Sequence, residues 1–158
     1  VVEQAMAMMT PSARDMVRTL VCDYPDINVC VRAIAWQCWR CKRTSPAFGF
    51  VHVNDFTGPD DVIDVSSGLE LEYVRDLLTL AGSPLASTIK VRSSRTAGTS
   101  YLSSGCFYCD ALFGAFPIRE TLTDIRVDDA VSKMLLILRL PRPQLEVFLL
   151  EALRNAAI

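Results

Sequence analysis

Much of what this sequence could be is excluded by what it does not contain. It has one histidine, His52, in 158 residues. It has no G-x-x-x-x-G-K-[ST], no G-x-G-x-x-G, no H-E-x-x-H and no G-x-S-x-G, so the chemistries tied to those arrangements lose their usual scaffold. The H-x-E…P-C-x-x-C deaminase signature and the D-x-[DN]-x-[DN]-G calcium loop are missing as well. Long apolar runs are also absent. The mean hydropathy is +0.27, yet the longest aliphatic stretch is Met134 to Leu138, far short of the roughly 20 residues a spanning helix needs. No membrane association is expected. Nor is there an excess of base: 16 basic against 18 acidic side chains give a net charge of -2. That argues against a globally basic nucleic-acid binder while permitting a local basic patch. The chain opens on Val1, and no charged-then-apolar segment with a small-residue cleavage site marks a secretory signal.

What is present is a chain with 51% hydrophobic residues, enough for one sizeable core. It carries six cysteines, four of them in two matched pairs, Cys38-Trp-Arg-Cys41 and Cys106-Phe-Tyr-Cys109. Two residues between cysteines allow a tight turn to aim both sulfurs at one point, and two such turns complete a zinc tetrahedron. Four thiolates around Zn²⁺ sum to a double negative charge, which Arg40, Lys42 and Arg43 are placed to offset. The usual ribbon separates its pairs by roughly 15–20 residues. Here the separation is several times longer, acceptable if the insertion folds on itself. A shared zinc site is the expectation, with a reducing, cytoplasmic setting. Redox-active or disulfide-forming pairs, and two unrelated pairs, are the alternatives. Cys22 and Cys30 read as small buried hydrophobes rather than extra ligands. His52 lacks a partner at ligand spacing and reads as an exposed or core-edge residue, with a role as general base still open. Asp60, Asp61 and Asp64 read as a solvated acidic loop rather than a Mg²⁺ or Ca²⁺ site.

Patterning predicts an α+β fold in a single domain, residues 1–158. Its parts are an N-terminal helical segment (1–30), a core with a small antiparallel sheet and two zinc knuckles (31–118), and C-terminal helices (119–158). Thr10-Pro11-Ser12 reads as a helix start. Val29–Trp36 and Ala47–Val53 read as strands flanking the first knuckle, and Ser87–Arg92 and Thr99–Leu102 as strands before the second. Ser67-Gly-Leu-Glu70 matches a capping box opening an inserted helix over 67–82. Ala111–Ile118 reads as a further strand. Val127, Val131, Met134, Leu135 and Leu138 recur at helical spacing up to Pro141, and Pro143 opens a second helix.

The stretch Ser94-Arg-Thr-Ala-Gly-Thr-Ser-Tyr-Leu before Cys106-x-x-Cys109, together with an upstream strand and Cys38-Trp-x-Cys41, resembles a zinc-ribbon-like domain of uncharacterised bacterial proteins. Some of these carry a competence-protein-like label. The resemblance spans about residues 32–118. It implies zinc binding by Cys38, Cys41, Cys106 and Cys109, and no enzymatic activity. Such domains often place glycine directly after the second pair, where this chain has Asp110, so a less regular turn is expected there.

Three functions are weighed. The first is a non-enzymatic adaptor or regulatory subunit that binds a protein partner, or a second copy, through its C-terminal helices. Leu136 and Leu149 are the exposed contacts of an apolar circumference too wide for one core. The second is a nucleic-acid-binding module using Arg40, Lys42, Arg43, Arg92 and Arg95 with Trp36, Trp39, Phe107 and Tyr108. Its bland counterpart is that these rings pack around the zinc and the bases merely neutralise it. The third is a redox protein using the dithiols.

Overall fold

A computed structural model describes residues 28–53 and 62–141 of the chain. The helix start at Thr10, Cys22, Asp60, Asp61, and the second C-terminal helix with Leu149 lie outside the described residues. Within them the fold is α+β. In chain order its elements are β1 (Asn28–Gln37), β2 (Thr44–Val53), β3 (Val62–Asp64), α1 (Gly68–Leu80), β4 (Lys90–Ser94), β5 (Thr99–Ser103), α2 (Ala115–Val127) and β6 (Leu135–Pro141). Strands β3-β2-β1-β6 form an antiparallel sheet in that order, and β4 and β5 form a separate hairpin. No helix among the described residues is long and apolar enough to cross a membrane.

The inserted helix forms where the periodicity predicts it. Leu71, Val74, Leu77 and Leu78 recur at three- and four-residue spacing and are all buried. Its C-terminus is a Schellman turn: Ser83 N–H bonds Leu78 O at 2.9 Å and Gly82 N–H bonds Thr79 O at 3.0 Å. Gly82 sits at φ +69, which a side chain would resist. The capping box is not made. Ser67 gives no side-chain cap; its Oγ instead accepts from Arg119 of α2 at 2.7 Å.

Three segments fold otherwise than the sequence suggests. Ser87 and Thr88, expected to open the strand Ser87–Arg92, instead end a 3₁₀ turn over Pro84–Thr88, in which Pro84 fits the first position and Ser83 Oγ accepts from Leu85 N–H. Ala111–Ile118 is not a strand. Only Leu112 pairs, in one bridge to Gly105, and α2 then begins at Ala115. Its Ile118, Leu122 and Ile125 lie at helical spacing against the sheet. Residues 127–138 are not a helix: after a 3₁₀ turn at Val131–Lys133 the chain enters β6 and pairs with β1. Cross-strand packing decides this, since Leu138 and Leu140 oppose the fully buried Val31 and Val29 of β1.

Two bulges explain why the apolar pattern misleads. Arg32 and Ala33 of β1 are consecutive, yet they pair with Phe50 and Phe48 on β2, leaving Gly49 extra. Val31 and Arg32 pair with Leu138 and Leu136 on β6, leaving Ile137 extra. Each bulge shifts alternation by one residue and strengthens the local twist. The sheet thereby separates two cores. Val29, Val31, Phe48, Val51 and Leu140 pack with α1 in one. Phe50, Val62, Ile118 and Leu122 form the other with Cys38 and Cys106. Four consecutive apolar residues at 135–138 are thus accommodated in a strand, with Leu135 and Leu136 exposed.

Residues 136 and 140 would share a face in a helix or in a regular strand, but the bulge puts them on opposite faces. Leu140→Ala is expected to cost about 2–5 kcal/mol, whereas Leu136→Glu should change folding stability by no more than about 0.5 kcal/mol. Urea denaturation of the two variants tests this, and equal responses would contradict the bulged strand.

Candidate metal centre

Each cysteine pair lies in a loop closed by strand pairing. Cys38 follows β1 and Cys41 precedes β2, so the first knuckle is the turn of the β1–β2 hairpin. The second is closed by the Gly105–Leu112 bridge after β5. The two loops repeat the same hydrogen bonds. Cys38 N–H bonds Arg43 O at 2.8 Å, and Cys106 N–H bonds Ala111 O at 2.9 Å. Lys42 N–H bonds Cys38 O and Asp110 N–H bonds Cys106 O, both at 3.0 Å. Arg40 N–H and Tyr108 N–H point at the sulfurs of Cys38 and Cys106, both at 3.4 Å. The residue after each pair is left-handed, Lys42 at φ 64 and Asp110 at φ 65. The turn at Asp110 is therefore as regular as the first, contrary to the expectation from its missing glycine. Aspartate is among the side chains that tolerate this conformation best.

The four sulfurs converge, all lying within 4.8 Å of one another. Cys38 and Cys109 approach to 3.5 Å, as do Cys41 and Cys106. Disulfide bonding needs about 2.05 Å, whereas tetrahedral Zn–S bonds of about 2.3 Å place sulfurs about 3.8 Å apart. The donor set fits a metal ion of zinc's softness and geometry. Cys38 and Cys106 are buried and Cys41 and Cys109 half-buried. Burial opposes ionisation of the Cys38 thiol. Backbone N–H groups of Cys41 and Arg40 and the thiols of Cys109 and Cys106 outweigh it, bringing it down to about 6. At Cys41 the Arg43 N–H favours the thiolate, but burial and the three neighbouring sulfurs prevail and push it up to about 11. The two thiols are thus driven in opposite directions within one cluster, a conflict that a divalent cation shared by the sulfurs would remove.

Further contacts join the knuckles independently of any metal. Trp39 Nε1 donates to Leu112 O at 2.9 Å, Phe107 N–H donates to the buried Ser45 Oγ at 3.0 Å, and the Arg43 guanidinium lies 4.9 Å over the Tyr108 ring. Ser45 carries no sequence signal for this role, since only the fold brings it under the second knuckle.

The proposed basic residues separate in space. Arg40, Lys42, Arg43 and Arg95 are exposed. Arg92 is buried: Nη1 donates to Thr88 O at 3.0 Å and Ser103 O at 2.9 Å, Nε to Asp110 O at 3.2 Å, and Nη2 to Asp110 Oδ1 at 2.7 Å. It ties the β4–β5 hairpin to the second knuckle, which takes it out of the surface set. Its guanidinium occupies the space beside Gly105, where a Cβ would meet Arg92 Cζ at 2.3 Å. Asp110 also bonds Lys90 at 2.6 Å. Arg32 belongs elsewhere, donating from Nε to Nε2 of His52 at 3.1 Å. His52 is buried on β2, not exposed. Asp64 Oδ1 accepts from Ser66 N–H and Oγ–H at 2.8 and 2.6 Å, a local turn. Trp36 packs on the core that holds Cys38 and Cys106, while Trp39, Phe107 and Tyr108 remain exposed. Between the first knuckle and the β4–β5 hairpin lies a groove of about 1030 Å³.

Purified reduced protein is expected to hold one Zn²⁺ per chain by elemental analysis. Cys38→Ser and Cys106→Ser should abolish it equally, and Cys30→Ser should leave it intact. The hydrogen bond from Lys90, against some burial, and then Arg92 hold the Asp110 carboxyl below its ordinary value of 3.8. A depressed folded value means the ion pairs stabilise fully above the unfolded value, and their contribution is lost as pH falls through the folded one. Asp110→Asn, which keeps left-handed tolerance, should therefore cost about 1 kcal/mol at neutral pH. Melting curves of variant and native chain should converge in acid.

The ligand arrangement is consistent with a zinc-ribbon-like site, as the sequence resemblance implies. No protein-family model, curated protein or solved structure matches this chain, so the four-cysteine centre itself carries the functional reading.

Proposed function

We propose that the chain is a zinc-stapled binding module without enzymatic activity, and that its working surface is the pair of knuckle tips. The observation that carries this reading is the convergence of four cysteine sulfurs from two loops distant in sequence. Zinc with four thiolates has no open position for water or substrate, so its contribution is to hold structure. Cys38, Cys41, Cys106 and Cys109 would hold the ion, and the N–H groups of Arg40 and Tyr108 would share the charge of the sulfurs.

What the staple presents outward supports recognition. Trp39 is 58% exposed and Tyr108 55%, beside the cations Arg40, Lys42 and Arg43. Arg40 lies 5.0 Å over Trp39 and Arg43 over Tyr108, so cations and rings alternate across the tips. An adaptor surface on C-terminal helices has less to rest on, because Leu135–Leu138 belong to β6 and Leu149 lies outside the described residues. Nucleic acid is the partner this mixture of charge and π-surface favours.

Cobalt substitution tests the closed centre. A Co²⁺-loaded chain should show a tetrahedral tetrathiolate spectrum that added cyanide or imidazole leaves unchanged. A shift on adding either ligand would reveal an open coordination position and overturn the non-enzymatic reading.

A further inference from the structure

The groove between the first knuckle and the β4–β5 hairpin has walls of contrasting chemistry. Trp39 and Arg40 stand on the knuckle side, and Lys90, Val91 and Arg95 on the hairpin side. The whole chain carries a net charge of -2, yet Asp110 is the one carboxylate among the lining residues, against four cations. That carboxylate is committed to Lys90 and Arg92. Arg40 and Arg95 are exposed, and neither forms an ion pair among the described residues. Two guanidiniums with no ion-pair partner among the described residues therefore border one concavity, Arg40 from the knuckle and Arg95 from the hairpin.

The apolar lining is as telling. Trp39 is 58% exposed although Arg40 lies over its ring and its Nε1 is bonded to Leu112 O. It sits between two metal ligands, where zinc binding asks only for a residue that allows the turn. Val91 is 64% exposed on the facing wall. An indole and a valine left open between arginines match a ligand that alternates flat apolar rings with anions.

We infer that this groove binds a segment of single-stranded nucleic acid, one base stacking on Trp39 and flanking phosphates meeting Arg40 and Arg95. This rests on the zinc-stapled reading, because the staple fixes the knuckle wall. A duplex keeps its base faces stacked and is read by elements that protrude into its grooves. A recess with an exposed ring suits unstacked bases instead. Arg92, although it borders the groove, holds the hairpin and is a positioning residue.

The experiment titrates full-length, zinc-loaded protein against fluorescein-labelled oligodeoxythymidine, oligouridine and a DNA duplex of matching length, by anisotropy over a salt series. The single strands should bind at low salt and weaken as salt rises. Trp39→Leu should lose about tenfold or more in affinity. Arg40→Ala and Arg95→Ala should each lower the salt slope by about one, while Lys133→Ala, outside the groove, changes neither. Arg95 lies in an exposed hairpin turn, so its variant reports even if Trp39→Leu disturbs the knuckle. Zinc content is measured on every sample. A zinc-loaded chain that binds no single strand, binds duplex or polyglutamate equally well, or ignores Trp39→Leu and Arg95→Ala overturns the inference and leaves the zinc module standing. A native chain that holds no zinc overturns the module, and the groove assignment with it.

Discussion

Everything at the functional end of this molecule depends on bringing two short loops, with cysteines 65 positions apart, to one point. Closing a loop of that length costs about 4 kcal/mol of chain entropy. Structural zinc supplies about 10–16 kcal/mol of apparent binding energy in zinc-finger peptides, so a zinc ion held by the four cysteines would outweigh the closure. The protein does not leave the whole task to it. The Trp39–Leu112, Ser45–Phe107 and Arg43–Tyr108 contacts all span the same gap. They are individually modest, and each holds the two knuckles together beside the sulfurs.

The intervening chain is what makes so long a separation workable. It contributes β2 and β3 to the sheet, α1 to the core on one face, and the β4–β5 hairpin that returns the chain to the second knuckle. The second face is closed by α2, whose Ile118 and Leu122 share a core with Cys38 and Cys106. The cysteine cluster and the hydrophobic core are thus one continuous unit on that side, and a metal held there would brace α2 directly.

The cluster of Cys38, Cys41, Cys106 and Cys109 was legible in the sequence, because C-x-x-C turns are local and aim both sulfurs of a pair at one point. The helix at 68–80 was legible for the same reason: its buried stripe and Gly82 stop lie within one stretch. The strand character of Leu135–Leu138 was hidden, since helical spacing and a bulged strand leave the same apolar marks, and only pairing with Val31 and Arg32 decides between them. Ile118, Leu122 and Ile125 carried a readable stripe that the aromatic Phe113 and Phe116 obscured. Arg92 shows the limit most clearly. Charge and position placed it on a basic face, but its burial depends on carbonyls from Thr88 and Ser103, which no local pattern announces.

The residues after the two cysteine pairs hold one further lesson. Glycine would satisfy the backbone at 42 and 110, and a side chain in that left-handed conformation costs about 1–2 kcal/mol. The chain accepts that strain twice and obtains a tether each time. Lys42 Nζ reaches the carbonyl of Trp39 at 2.8 Å, and Asp110 grips Lys90 and Arg92. The second knuckle is therefore tied through one aspartate to two cations of β4, the strand that runs on to Arg95 at the lip of the groove.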